Sequence, residues 1–231
     1  MPAILRRSLV KAMLMALPAA STVPNALIDA CIDLVGHGAQ LRDLTVRSIA
    51  QRAGVSLSAV SYHFGSLDAL IAVVAQRVYA RINLRRVELF QQAVERSQAG
   101  APPLREVLDA LIRPTVGKSP EIRFLSQIGS LLVKPVTPEL TKIDTEMTPH
   151  QIIIDSLLAQ APWLSRAEIG WRVHAILGIR THVQGRESRM RVLIDNRLDL
   201  DDPEVVIGIV LDIAVQMFAA PGPGMVPLLR F

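Results

Sequence analysis

The sequence has little cysteine, few aromatic residues and no long uncharged apolar run. Its 231 residues include one cysteine, Cys31, which excludes an internal disulfide framework and a cysteine-based zinc or iron–sulfur site. Outside the N-terminal segment, the most apolar stretch, residues 205–219, is shorter than the roughly 20 residues that a bilayer span needs, and it contains Asp212. We therefore expect no membrane span.

The common catalytic motifs are also missing. The sequence contains no G-x-G-x-x-G, no P-loop, no G-x-S-x-G and no H-E-x-x-H. His174 and His182 stand two helical turns apart, which favours isolated histidines over a pair of metal ligands. We expect no metal, no cofactor and no enzymatic activity. A small all-α enzyme with His174 as its base is the remote alternative.

Half of the residues are apolar and 20% are charged, so the chain can bury one or two cores. The charge is unevenly placed along it. Residues 1–100 carry eleven Lys or Arg against six Asp or Glu, whereas residues 101–231 carry fourteen against fifteen. A basic first part on a nearly neutral body indicates a head that binds a polyanion.

Residues 1–22 loosely imitate a secretory signal, because Arg6, Arg7 and Lys11 precede an apolar run. Pro18 occupies a position where signal peptidase requires a small residue, so the segment lacks a good cleavage site. We expect a disordered basic arm here, and a cytoplasmic protein.

Helix-start signals recur along the chain and predict an all-α protein. A cap residue followed by Pro and an acid begins at Ser119, Thr137 and Asp202, and Ser165 can form a capping box with Glu168. No segment alternates with period two, and no Asn-Gly or Asp-Gly turn appears. The predicted helices cover residues 24–37, 45–52, 56–63, 66–97, 103–113, 120–133, 138–147, 149–160, 166–192 and 203–219.

Residues 45–70 predict two short helices joined by a tight turn. Thr45 can cap the first helix, and Gly54 can supply the turn. Ser56 can cap the second helix, in which Val60 faces inward. Such a pair is a helix-turn-helix, whose second helix enters the major groove of DNA. An ordinary helical hairpin inside an α-bundle is the alternative.

The outward side chains of this segment suit DNA. Serine hydroxyls can bond to base edges or phosphates, and a leucine can touch a thymine methyl. An arginine, a threonine and aromatic side chains suit phosphate contacts, which fix orientation without reading sequence. The candidate DNA-binding residues are Thr45, Arg47, Ser56, Leu57, Ser58, Ser61, Tyr62 and His63.

The same segment carries a set of correlated residues at fixed spacing. They are Thr45-Val-Arg47, Ile49-Ala50, Arg52-Ala-Gly54-Val-Ser56, Val60, Tyr62-His63-Phe64, Ser66 and Asp68-Ala-Leu70. With these residues the segment resembles the DNA-binding region of the TetR family of transcriptional regulators. The resemblance covers about residues 25–70, and the rest of the chain agrees only in length and class.

Several positions depart from the family's pattern, including the start of the first helix, where Val23-Pro24-Asn25 replaces a basic cluster. Leu67 stands where a lysine usually meets a phosphate, Ser61 stands where an aromatic residue is usual, and Val35 replaces the aromatic residue of the first helix. Fewer phosphate contacts imply weaker non-specific binding and a shallower dependence on salt.

The resemblance implies a C-terminal body with a pocket for a small hydrophobic effector. An apolar cavity with a few polar groups would bury such a ligand and orient it. The alternative is that the same residues are core residues with no cavity. The candidate ligand-binding residues are Phe124, Gln127, Ile128, Leu131, Met147, His150, Ile154, Trp171 and His174, with Ile179 beside them.

The resemblance also implies a homodimer built on the last two helices. A two-fold dimer suits a palindromic operator in double-stranded DNA. Small residues on the earlier helix permit close approach, and the later helix carries an apolar stripe. The candidate dimer residues are Gly170, Ala175, Gly178, Val206, Ile209, Val210, Ile213 and Met217.

These expectations combine into a domain plan and a function. We expect a helix-turn-helix domain at residues 23–70, a connecting helix at 66–97, and a ligand-binding and dimerisation domain at 98–231. The protein is expected to be a TetR-type regulator, a repressor that a small hydrophobic ligand releases from its operator. The alternative within this fold is a regulator controlled by a protein partner or by no ligand.

Overall fold

The protein is all-helical over the residues that its computed structural model describes, which are 22–97, 100–131 and 148–220. These residues form ten α-helices, two short 3-10 helices and no strand, which confirms the all-α prediction. The α-helices are α1 (Val23–Gly36), α2 (Val46–Ala53), α3 (Ser58–Phe64), α4 (Leu67–Arg96), α5 (Leu104–Ile112), α6 (Pro120–Leu131), α7 (Thr148–Gln160), α8 (Arg166–Gly185), α9 (Glu187–Leu193) and α10 (Pro203–Met217).

The chain divides into two compact units, and the division falls inside the long helix α4. Among the described residues, unit 1 consists of 22–84 and 118–131, and unit 2 consists of 85–97, 100–117 and 148–220. The helix α6, which we expected in the C-terminal domain, therefore belongs to unit 1. The sequence offered no local sign of this, because α6 is built into unit 1 by contacts over long sequence separations.

Unit 1 is organised around α1, which packs against both α2 and α6. Leu27 and Ile49 are fully buried between the first helices, and Phe124 is fully buried on α6. The single cysteine, Cys31, lies in this core, where burial raises the pKa of its thiol to about 12. It therefore remains a protonated, small apolar side chain.

The contact between α1 and α6 is close at Gly36. A Cβ added there would lie 2.7 Å from Cβ and 2.8 Å from Cγ of Pro120, closer than carbon atoms can approach. Nearby, Arg81 of α4 donates to Glu121 at 3.2 Å. Glycine at position 36 is thus what lets α6 begin directly against the end of α1.

Unit 2 is a bundle in which α5 packs against α7 and α10, and α8 packs against α7 and α10. Ser165 caps α8 through a capping box with Glu168, as predicted. The predicted helix over 166–192 is wrong in one respect, because it is interrupted at Arg186, whose φ of −134° is not helical. The predicted helix over 138–147 lies outside the described residues.

Within the described ranges, no single helix is both long and apolar enough to cross a bilayer. The pair α3 and α4 reaches that length and composition only when taken together, and it is bent by 65°.

We predict that Gly36→Ala destabilises unit 1 by about 1–3 kcal/mol, because the rigid ring of Pro120 leaves no room for the methyl group. Chemical denaturation measured by circular dichroism checks the change. Gly185→Ala is the matched control, since a Cβ at Gly185 meets nothing within 4 Å. Alanine normally favours a helix over glycine, so a Gly36→Ala variant as stable as the Gly185→Ala variant would contradict the close contact.

Candidate nucleic-acid interface

The first helix of the motif, α2, begins at a capping box. The Ser48 N–H donates to Thr45 Oγ1 at 3.1 Å, and the Thr45 N–H donates to Ser48 Oγ at 3.1 Å. Ile49 and Ala50 are buried on one side of the helix. The capping role predicted for Thr45 is therefore present, and it fixes where the helix starts.

The turn between the two helices depends on Gly54. Its φ of +67° lies in the left-handed region, which glycine adopts without steric cost. The N–H of the following Val55 returns to the carbonyl of Ala50 at 3.0 Å. This closes α2 as predicted.

The second helix, α3, begins two residues later than predicted. Leu57 is its N-cap and no side chain caps it, so the capping role expected for Ser56 is wrong. The hydroxyl of Ser56 instead lies 3.1 Å from that of Ser58. Ala59 and Val60 are buried, and they hold the inner side of α3 on unit 1.

The outer side of α3 is open to solvent. The side chain of Tyr62 is 84% exposed and that of Leu57 is 55% exposed, values too high for core residues of this size. The ring of Tyr62 stands edge-on to that of His63, with centroids 4.8 Å apart. A shallow depression lined by Val23, Val55, Ala59 and their neighbours runs beside these rings. Each of the eight predicted DNA-binding residues is exposed: Thr45, Arg47, Ser56, Leu57, Ser58, Ser61, Tyr62 and His63.

Several arginines of unit 1 hold the unit together. Arg52 pairs with Asp33 of α1, and Arg77 donates to the Asn25 side-chain oxygen at 2.9 Å. In contrast, Arg47, the second residue of α2, is exposed.

The unusual Leu67 has a packing role. Its side chain is half-buried against the core of unit 1, while the preceding Ser66 accepts from the Ala69 N–H at 3.1 Å. The serine thus caps α4, and Leu67 contributes apolar surface to the core.

Gln127 fixes the loop that leads into the motif. Its side-chain oxygen accepts from the Leu41 N–H at 2.6 Å, and its side-chain nitrogen donates to the Ala39 carbonyl at 3.3 Å. An amide that binds a donor and an acceptor of one loop is a specific clamp. Gln127, predicted as a ligand-binding residue, therefore positions residues 39–41 from α6.

We predict that Gln127→Leu accelerates hydrogen exchange at the Leu41 amide and lowers the stability of unit 1 by about 1–3 kcal/mol, because it leaves two backbone groups unpaired. Gln127→Glu keeps the acceptor for Leu41 and loses the donor to Ala39, so protection of Leu41 should persist. Ser126→Ala serves as the neighbouring control. Unchanged exchange at Leu41 in Gln127→Leu would show that the clamp does not form in solution.

The other predicted ligand-binding residues fall in different places. Phe124 and Ile128 are buried in the core of unit 1, whereas His150 and Ile154 are buried in the core of unit 2. Trp171 and His174 are exposed on α8. Met147 and the side chain of Leu131 lie outside the described residues.

The predicted dimer residues also divide into two groups. Those exposed or half-exposed on α8 and α10 are Gly170, Ala175, Gly178, Ile209, Ile213 and Met217. Val206 and Val210 are buried within unit 2 itself. A Cβ at Gly170 or Gly178 meets nothing within 4 Å, so neither glycine is needed for packing inside the described chain.

Sequence reasoning missed a buried cation in unit 2. The positive charge of Arg86 predicts a place on a solvated basic side of α4, yet its side chain is only 3% exposed. A signal was present, because Ile82, Arg86 and Phe90 follow at intervals of four and continue the apolar stripe of that helix.

Comparison with known proteins gives a likeness of fold. No protein-family model matches the chain, and no curated protein matches it. The chain is similar to the crystal structure of a transcriptional regulator from Rhodococcus sp. Rha1, with a TM-score of 0.62 and 21% sequence identity. The likeness covers 85% of this chain and 96% of that one. The two proteins therefore share a fold over nearly their whole lengths.

Proposed function

We propose that this protein is a DNA-binding transcriptional regulator of the TetR type, acting in the cytoplasm. The observation that carries the proposal is the outer side of α3, where Leu57, Ser58, Ser61 and Tyr62 are exposed together at the end of a helix-turn-helix. The shared fold with a transcriptional regulator supports it. An enzyme would need a constellation of reactive groups, and the sequence motifs for one are missing.

DNA binding follows from the chemistry of the exposed side chains. With α3 in the major groove, Leu57, Ser58 and Ser61 would meet base edges. Arg47 and the aromatic pair Tyr62 and His63 would contact phosphates and fix the orientation of the helix. Since α3 is held by buried Ala59 and Val60, its outer face is presented rigidly.

The operator is found by affinity selection of sheared genomic DNA on the purified protein at two salt concentrations, followed by sequencing. An enriched palindrome supports the proposal. Salt-sensitive binding with no enriched sequence would contradict it, because a basic protein binds phosphate without reading bases.

We predict that the double variant Arg47→Ala and Tyr62→Ala weakens binding to the enriched site by about tenfold or more, because each residue contributes a phosphate contact. Removing the cation should also reduce the slope of log affinity against log salt by about one. Fluorescence anisotropy with labelled operator measures both. Arg123→Ala on α6, an exposed arginine of the same unit, is the control and should bind as the wild type does.

Dimerisation is supported by an exposed apolar surface on unit 2. Trp171 is 66% exposed on α8 and Ile213 is 44% exposed on α10, two helices that pack together. On α8, Gly170 and Gly178 carry no side chain, which permits the close approach of another helix. A dimer places two copies of α3 on a palindrome.

We predict that Trp171→Arg converts the dimer into a monomer and weakens operator binding with it, since a charge in the centre of an apolar interface is costly. Light scattering coupled to size exclusion measures the mass. Trp163→Arg is the matched control, because Trp163 is also partly exposed, at 39%, but lies between α7 and α8. A Trp171→Arg protein that stays dimeric would show that the interface is elsewhere.

Regulation completes the proposal. A small ligand bound in unit 2 would favour a state whose two heads no longer match the operator, so the protein would act as a repressor released by its effector. Such coupling requires a different ligand affinity in the two states. A difference of about 2–3 kcal/mol would weaken operator binding by roughly 30- to 150-fold.

A further inference from the structure

The apolar core of unit 2 contains a group of buried polar side chains. Arg86 is 3% exposed, and His150 and Arg180 are each 7% exposed. Together with the half-buried Gln184 they form what we call the polar layer. Buried arginines are rare in protein cores, because removing a charge from water is expensive unless it is paired.

Two members of the polar layer bond to backbone carbonyls of the segment from the end of α5 to Gly117. Arg86 Nε donates to the Leu111 carbonyl at 3.2 Å, and the Gln184 side-chain nitrogen donates to the Gly117 carbonyl at 3.1 Å. Arg180 lies one helical turn before Gln184 on α8, the helix that packs against the helix of His150.

His150 is neutral in this setting. Burial, and then the positive charge of Arg86, lowers the pKa of His150 to about 3. Its Nδ1 is buried and has no hydrogen-bond partner, and the side-chain oxygen of Gln184 is also buried without one. Buried polar atoms are nearly always bonded in native proteins, so these two atoms require an explanation.

A ligand would explain them. The apolar core of unit 2 includes Leu111, whose carbonyl accepts from Arg86, together with Ile153 and Ile176, which lie about one helical turn from His150 and Arg180. These side chains would take an apolar body. Arginine favours an anion, and a neutral histidine can donate Nδ1–H to it. A singly charged carboxylate suits the site better than a phosphate dianion, whose desolvation in an apolar core costs more.

We propose that unit 2 binds a small organic acid, with its carboxylate at Arg86 and His150 and its apolar body in the surrounding core. Arg180 contributes positive charge to the site, and the carboxylate joins the interactions that both arginines already make. The existence of this binding site does not depend on the proposed function. As the effector site it rests on the proposed function.

The test uses the full-length protein and a series of straight-chain carboxylates of four to twelve carbons, each with its uncharged primary alcohol. Isothermal titration without DNA measures binding. We expect one or more of the acids to bind at least tenfold more tightly than its alcohol, the difference that a charge-assisted hydrogen bond supplies.

Variants separate this site from unspecific apolar binding. Arg86→Met keeps the apolar stem and removes the charge, and Arg85→Met changes the adjacent exposed arginine, which pairs with Glu88. His150→Leu removes the unpartnered ring, and His150→Asn restores a donor near Nδ1. We expect at least tenfold weaker acid binding in Arg86→Met and His150→Leu, wild-type binding in Arg85→Met, and partial recovery in His150→Asn.

The melting temperature of His150→Leu shows whether a loss of binding comes from a folding defect. It removes a buried unpaired polar atom, so the variant should melt at the wild-type temperature or above it. If no acid in the series binds better than its alcohol, or if a folded His150→Leu variant binds as the wild type does, the site is refuted.

A final arm distinguishes the site from the proposed function. The acid that binds most tightly is added to the complex of the protein with its selected operator. Release of the DNA, lost in His150→Leu, supports both. Acid binding that depends on Arg86 and His150 without any change in operator affinity supports the site and contradicts its role as effector site. Failure to select any operator bears on the proposed function alone.

Discussion

The candidate DNA-binding surface depends on the burial of the inner sides of two short helices. Helices of eight and seven residues, such as α2 and α3, are too short to be stable alone in water. They persist because Ile49 and Val60 are buried in the core of unit 1. That core is completed by α6, which approaches α1 at Gly36 and holds the loop before α2 through Gln127. The outer face of α3 is therefore only as well fixed as the contacts beneath it.

The parts of the fold that sequence predicted are those determined locally. Thr45 and Ser48 form a cap within one turn, and Gly54 permits a left-handed turn, so both signals are visible over a few residues. The resemblance at residues 45–70 rests on the same short-range pattern. The predicted start of α3 was two residues too early, because Leu57 precedes the helix without a side-chain cap that the sequence could show.

What sequence did not predict depends on distant contacts. Gln127 meets residues 39 and 41 across more than eighty positions, and no periodic pattern reports such a pairing. The burial of Arg86 depends on distant contacts as well. The spacing of Arg86 along α4 matches the buried stripe of that helix, whereas its charge favours solvent. Only the structure shows that Arg86 is buried.

The two units differ in where they carry their polar side chains. Unit 1 combines a rigid apolar core with an exposed polar and aromatic face, which suits docking onto a charged surface. Unit 2 has the opposite character, since its polar groups Arg86, His150 and Arg180 lie inside. The chain passes from unit 2 back to unit 1 between Gly117 and Lys118, directly before α6, and Gly117 is the residue whose carbonyl Gln184 holds.

The most direct test of the central claim is a methylation-protection footprint of the selected operator. The account predicts two protected guanine clusters in the major groove, related by two-fold symmetry and separated by about one helical turn, 10–10.5 base pairs, or a multiple of it. Protection should disappear with the Arg47→Ala and Tyr62→Ala double variant. Uniform protection along the duplex, or protection confined to the minor groove, would contradict the claim that α3 reads DNA.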